Sequence, residues 1–349
     1  MTEPIETNDV AFERRGRLGL ITLTRPKALN ALNLEMCAAI LAQLEAWETD
    51  DEIGIVAIIG EGERAFCAGG DVVGLHRSGT EGSPNWETFF GTEYRMNHKI
   101  GTYPKPYVAV IDGITMGGGV GLSIHGPVRI ATENTLFAMP ETGIGLIPDV
   151  GGTHALPRLP GELGAYLGLT GARLKAADCL YAGIATHYTE SANVEGLLAA
   201  LEAPVDSVED VLVQFQKAPE QPPILEAHRE EIDRHFGANS VEEIMAGLSM
   251  GSDWAEGQRD LLMKLSPTSM KLTLRALREG ADDDLAGCLK REYRIVGNIK
   301  TGEDFFEGVR AQLIDKDRKP RWNPSNLRDV TGEMVDGYFK TPPHGELRL

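Results

Sequence analysis

The sequence predicts an α/β chain whose last part is helical, and three observations predict it. A short apolar run, a glycine-rich turn and a helical pattern follow one another twice, ending at Gly70-Asp71 and at Gly118-Gly119. Beyond about Pro204 the composition shifts, and charged helical patterns replace the strands. The 349 residues are 42% hydrophobic and 25% charged, enough to bury a large core in one big domain or two modest ones. The division expected is an α/β core over 10–203, carrying the active site, and a helical region over 204–349.

Taken in order, Val10 to Thr24 alternates apolar and polar residues about Gly16, the pattern of a β-hairpin. RPKALNALN reads as a loop, and Asn33 can cap a helix whose stripe of Met36, Ile40, Leu44 and Trp47 faces the core. Ile53 to Ile59 is a buried strand; GEGERAFCAGGD turns back, and Asp71 can cap a short helix. A polar loop then leads to a helix over Trp86–Ile100, with Phe89, Phe90 and Tyr94 inward. Glu93 falls beside that face and reads equally well as an exposed helix charge or as a buried acid needing a partner. Short strands are expected over Val128–Ala138, helix and turns over Gly151–Leu169, a short helix over Leu174–Gly183 and a strand over Ala185–Thr189. Helices are expected over Val208–Lys217, Ile224–Phe236, Val241–Leu248, Asp260–Leu265, Thr268–Arg278 and Asp284–Val296.

The stretch Tyr103–Gly152 concentrates the chemistry. Tyr107–Ile111 has the length and β-branched content of a buried strand, and Gly117-Gly118-Gly119 follows before the helical spacing of Val120–His125. Glycines between strand and helix expose backbone N–H groups at a helix start, a place that suits a carboxylate, a phosphate or a developing oxyanion. Glu141 and Asp149 lie just downstream in PETGIGLIPDVGG, too broken by Gly and Pro for a helix. Singly, these features read as a tight turn and two solvated loop acids; together they favour an active site.

Other classes are excluded on composition. A net charge of −18 speaks against nucleic acid, which needs clustered Lys and Arg. No apolar run approaches the ~18 residues that would span a membrane. The acidic opening MTEPIETNDV is unlike a secretory or transit signal and suggests the cytoplasm. Cys37, Cys67, Cys179 and Cys288 lack the paired spacing of a zinc site or a disulfide framework. His125 and His154 have no second ligand at helical spacing, and nothing pairs with Ser123 as a nucleophile elbow requires; both histidines read as structural. Lys316, Arg318, Lys319 and Arg321, or Arg25 and Lys27, are the basic groups available to an anionic substrate.

FCAGGDV (Phe66–Val72), the triple glycine and PETGIGLIPDVGGT (Pro140–Thr153) resemble the crotonase, or enoyl-CoA hydratase/isomerase, superfamily. KPYVAVIDGITMGGGVGLSIHG is similar above all to its 3-hydroxyisobutyryl-CoA hydrolase branch. The likeness runs from Val10 to Trp322 and is dense between Arg64 and Gly171. It implies a spiral of ββα turns, with Phe305 and Phe306 in a closing element over the CoA site and the helical region supporting self-association. It also implies an oxyanion hole made by the N–H groups of Gly70 and Gly118, with Ala68, Gly117 and Glu93 contacting substrate. Hydratases of the superfamily use two glutamates: Glu141 matches the second, Gly121 stands at the first, and Asp149 stands where hydratases carry glycine. The resemblance therefore implies a hydrolase of an acyl-CoA thioester, 3-hydroxyisobutyryl-CoA of valine catabolism, with Glu141 as nucleophile or general base and Asp149 as its companion. No metal and no cofactor are expected, CoA being part of the substrate, and a homo-oligomer, a trimer by family habit, is the expected assembly. The alternatives are a hydratase or double-bond isomerase of the same superfamily, or a non-catalytic CoA-ester or RNA-binding scaffold.

Overall fold

The computed structural model describes residues 7–83, 85–204 and 207–349; the first six residues of the acidic opening lie outside it. Contacts divide the chain into two units, each built from three separated segments. Unit 1 takes Met1–Gly70, Arg95–Phe137 and Arg173–Leu225; unit 2 takes Asp71–Tyr94, Ala138–Ala172 and Glu226–Leu349. The helical patterns read after Pro204 thus fall in both units.

Unit 1 is organised by a sheet. Its strands are β1 (Val10–Arg15), β2 (Leu18–Leu23), β3 (Ile55–Gly60), β4 (Ala65–Cys67), β5 (Tyr107–Ile111), β6 (Ile114–Met116), β7 (Val128–Ala131), β8 (Leu136–Ala138) and β9 (His187–Tyr188), with β8 ending at the unit's limit. A six-stranded sheet has the order β1-β2-β3-β5-β7-β9, and a three-stranded one the order β4-β6-β8. The β1–β2 pair is the antiparallel hairpin expected about Gly16, with Val10 opposite Leu23; β2 through β9 pair in parallel. Each pass of the chain adds one strand to each sheet, β3 then β4, β5 then β6, β7 then β8. That is the ββα spiral.

Burial explains the sequence pattern. The central strands β2, β3 and β5 are apolar but for Thr22 because parallel strands are covered on both faces. On one face Leu18, Leu20, Ile55, Ala57, Val108, Val110 and Ile130, at alternate positions, meet Leu197, Leu198, Leu201, Val211 and Leu212 of two following helices. The helix Leu34–Glu48 buries Met36, Ile40, Leu44 and Trp47, and Asn33 caps it by accepting from Met36 N–H at 2.8 Å.

Unit 2 is helical. Asn85–Tyr94, the first part of the helix Asn85–Gly101, packs its aromatic face on the helices Leu285–Ile299 and Asp304–Val309: the Trp86 ring stands edge-on to Phe305 at 4.9 Å, and its indole N–H donates to Val296 O at 3.2 Å. Three helices match their expected spans closely: Val241–Leu248, Pro267–Gly280 and Leu285–Ile299, the last capped by Asp284. The helix read at Asp260–Leu265 instead runs Asp253–Leu262, because the Ser252 hydroxyl caps it from Ala255 N–H and its charged first turn hides the start. Among the described residues no helix is long and apolar enough to cross a membrane.

Candidate active site

Unit 2 gathers the three expected acids. Glu93, Glu141 and Asp149 are 2%, 5% and 4% exposed, so the reading of Glu93 as an exposed helix charge does not hold. Glu93 comes from the aromatic helix, and Glu141 opens a short 3-10 turn, Glu141–Ile144. That turn is fixed from behind. Gly145 has φ +73°, and a Cβ on it would lie 2.3 Å from the Asp304 carbonyl; Ser266 N–H donates to Thr142 O at 3.1 Å. Only glycine fits there, which accounts for the G in PETG-I-G.

Asp149 is held by two groups. The Tyr94 hydroxyl donates to its Oδ2 at 2.6 Å. Its own carbonyl accepts from Gly152 N–H at 2.6 Å, closing a turn in which Val150 has φ +52° and Gly151 φ +81°. A buried valine in the left-handed region is an outlier that costs about 1–3 kcal/mol and persists only where its surroundings fix it. One of those surroundings is Glu292, fully buried, whose carboxylate accepts from Gly151 N–H at 2.7 Å, Thr153 N–H at 2.9 Å and the Thr153 hydroxyl at 2.5 Å.

Electrostatically these acids form one cluster. Burial, then the Asp149 and Glu141 charges, push Glu93 well above the usual carboxylate range. Burial and the Asp149 charge do the same for Glu141. Asp149 is raised by burial only to about 6, because the Tyr94 hydroxyl and a backbone N–H favour its anion. Asp149 is the member whose anion the hydrogen bonds favour, and the cluster titrates as a unit. Glu93 Oε1 and Glu141 Oε2 are buried without a hydrogen-bond partner among the described residues, an arrangement that is costly unless it serves a reaction. A Tyr94→Phe substitution is expected to raise the Asp149 pKa above about 6, since it removes the bond that favours the anion. The acid limb of the pH–rate profile should move to higher pH; an unmoved limb would separate Tyr94 from the chemistry.

The glycine turns lie in unit 1. Gly117, φ +46°, precedes the buried helix Gly118–Ser123, and the N–H groups of Gly118 and Gly119 have no acceptor within that helix. An ideal Cβ on Gly69 would lie 3.9 Å from Gly118 N, so the Ala68–Gly70 and Gly117–Gly118 turns face each other. Leu32 N–H donates to Gly69 O at 2.8 Å and Ala68 N–H to Leu29 O at 3.0 Å, so the Ala68 N–H is already committed and its carbonyl and side chain are what it can offer a substrate. Gly121 is buried within the short helix and carries no acid, as the sequence shows. Burial lowers the pKa of His154, a half-buried group outside the acid cluster. In the proposed basic stretch of unit 2, Arg310 binds Glu307, Asp315 and Asp317, which leaves Lys316, Arg318, Lys319 and Arg321 exposed.

Sequence reading missed two residues of the cluster. Tyr94 was recognised as an inward aromatic but not as a donor. Glu292 was not singled out, yet it stands on the buried stripe with Cys288, Leu289, Tyr293 and Val296. An acid in phase with a helix's apolar positions is the signal that would have found it.

Two sheets advanced together by ββα turns, with buried carboxyls, define the class. The chain belongs to the enoyl-CoA hydratase/isomerase family, whose pattern it matches over residues 18–339. It is 50% identical to the mitochondrial 3-hydroxyisobutyryl-CoA hydrolase of Danio rerio, across 98% of this chain and 92% of that one. The mitochondrial 3-hydroxyisobutyryl-CoA hydrolase of Homo sapiens is 47% identical, across 98% and 91%. Among solved structures, a carnitinyl-CoA dehydratase from Mycobacterium thermoresistibile superposes with a TM-score of 0.92 at 40% identity, covering 98% of this chain and 99% of that one. An enoyl-CoA hydratase from Rhodobacter sphaeroides 2.4.1 gives 0.89 at 41%, covering 98% and 100%. The cytoplasmic location expected from MTEPIETNDV is overturned, since these hydrolases are named mitochondrial and point to mitochondria.

Proposed function

We propose that the protein hydrolyses 3-hydroxyisobutyryl-CoA to 3-hydroxyisobutyrate and free CoA. One observation carries this: identity of about half, along nearly the whole chain, to relatives named for that reaction. The site chemistry supports it. Glu141, once deprotonated, attacks the thioester carbonyl carbon to give a mixed anhydride, or takes a proton from the water that attacks instead. The carbonyl oxygen becomes an oxyanion assigned to the N–H groups of Gly70 and Gly118, a kind of donor whose loss costs about 3–4 kcal/mol. The C–S bond then breaks, the electron pair leaves on the CoA sulfur, and a proton converts that thiolate to the thiol. In the anhydride route, water cleaves the anhydride and restores Glu141. Asp149 either binds the substrate's 3-hydroxyl or manages the thiol proton. No step calls on a cofactor beyond the CoA of the substrate.

A second reading, hydration of a 2-enoyl-CoA, is favoured by the buried pair of Glu93 and Glu141, each with an unpartnered oxygen. With Gly121 in place of an acid, Glu93 is the residue that would have to supply the missing half. The two readings part in one experiment. 3-Hydroxyisobutyryl-CoA is expected to release thiol, read with dithionitrobenzoate, while crotonyl-CoA keeps its enoyl absorbance. Rapid loss of that absorbance with no thiol would make the protein a hydratase.

A further inference from the structure

We infer that Glu292 is a positioning residue for Asp149, acting through a three-bond clamp on the loop Asp149–Thr153; the inference rests on the hydrolase reading above. Glu292 lies on the buried face of the helix Leu285–Ile299 and is 0% exposed. Both carboxylate oxygens are engaged: Oε2 accepts from Gly151 N–H, and Oε1 accepts from the Thr153 amide and hydroxyl. All three donors come from Gly151 and Thr153, just beyond Asp149, at 141 and 139 positions' separation from Glu292.

The clamp answers a need in the loop. Val150 sits at φ +52°, a conformation a β-branched residue leaves unless both ends of the turn are fixed. The Tyr94 bond fixes the Asp149 side chain, and Glu292 fixes the backbone just beyond it. The helix Pro267–Gly280 closes on the same loop: a Cβ on Gly280 would lie 2.0 Å from Thr153 O. Glu292 itself is well separated in role from the reacting acids, since its oxygens are consumed by the loop and none is left unpartnered. A purely structural acid of this kind would be replaceable by any fold-preserving change; a positioning one must act through Asp149.

Glutamine at 292 keeps the volume but presents an NH₂ to one of the amide donors, so one end of the turn is released. In the wild-type background, Glu292→Gln is expected to lower kcat about 10- to 100-fold, the size of effect a displaced group near 1 Å produces, with KM within about threefold. In an Asp149→Asn background the same substitution should change kcat by less than twofold, because residues acting as a unit are non-additive. Thr153→Val, which deletes one of the three bonds, should show a smaller loss in the same direction, and Thr153→Ser should restore it. These threonine variants decide the matter if Glu292→Gln fails to fold. Equal losses in both backgrounds, or a loss in KM alone, would overturn the inference and leave Glu292 a structural acid. Wild-type protein that releases no thiol from 3-hydroxyisobutyryl-CoA would instead refute the hydrolase reading, and that measurement comes first.

Discussion

Glu141→Gln is expected to lower kcat by about 10²- to 10⁴-fold while the CoA ester still binds within a few-fold of wild type, because shape survives and the base or nucleophile does not. The same variant should be no less stable, and the sign follows from the carboxyl's environment. Burial and the Asp149 charge raise the Glu141 pKa above the usual 4.5, so its contribution to stability is complete below 4.5 and is lost as pH rises through the folded-state value. Glutamine stays neutral throughout. The melting temperature of the variant should therefore match that of the wild type at low pH and exceed it as pH rises. A kcat at or above a tenth of wild type would remove Glu141 from the centre of the mechanism. Single turnover in ¹⁸O-water separates its two roles: label in the Glu141 carboxylate marks the anhydride, label in the product alone marks general base.

Asp149→Asn carries the second large effect, about 10²-fold on kcat/KM. The side chain keeps its shape and can still accept from the Tyr94 hydroxyl, so the loss isolates the charge. With Asp149 titrating at about 6, wild-type activity should fall as pH drops through that value, and the variant should lose this limb. Comparing substrates with and without a 3-hydroxyl divides the two roles left open above. A loss confined to 3-hydroxyacyl esters places the anion on that hydroxyl; an equal loss on plain acyl esters places it at the departing thiol. Unchanged rates with both substrates would remove Asp149 from the chemistry.

The parts of this site that sequence revealed are the ones that local rules govern. The cap at Asn33, the hairpin about Gly16 and the unbroken apolar strands follow from periodicity and end signals within a few residues. Glu141 and Asp149 stood out because glycine and proline frame them and because the family likeness is dense there. Bonds between distant segments had no such signal. Tyr94 reaches Asp149 across 55 positions and Glu292 reaches Gly151 across 141, and no local pattern names a partner that far away. Glu93 was balanced between burial and exposure because a helix face alone does not say what covers it. The interleaving of two units from three segments each was likewise invisible to composition, which changes once, near Pro204, while the contacts change five times.

That interleaving bears on when the protein becomes active during its own synthesis. Unit 2 contains Glu93 and Glu141 early in the chain, but the carboxylate that clamps the Asp149 loop emerges from the ribosome well over a hundred residues later. Until it does, the Asp149 loop lacks its clamp, and an unclamped Val150 relaxes to an ordinary conformation. Contacts of such long sequence separation close late, since the chain entropy spent on them is recovered only when both ends exist. A nascent chain can thus complete much of its first sheet, whose last strand ends at Tyr188, while remaining chemically silent. On the clamp inferred above, hydrolytic competence waits for the helix that carries Glu292.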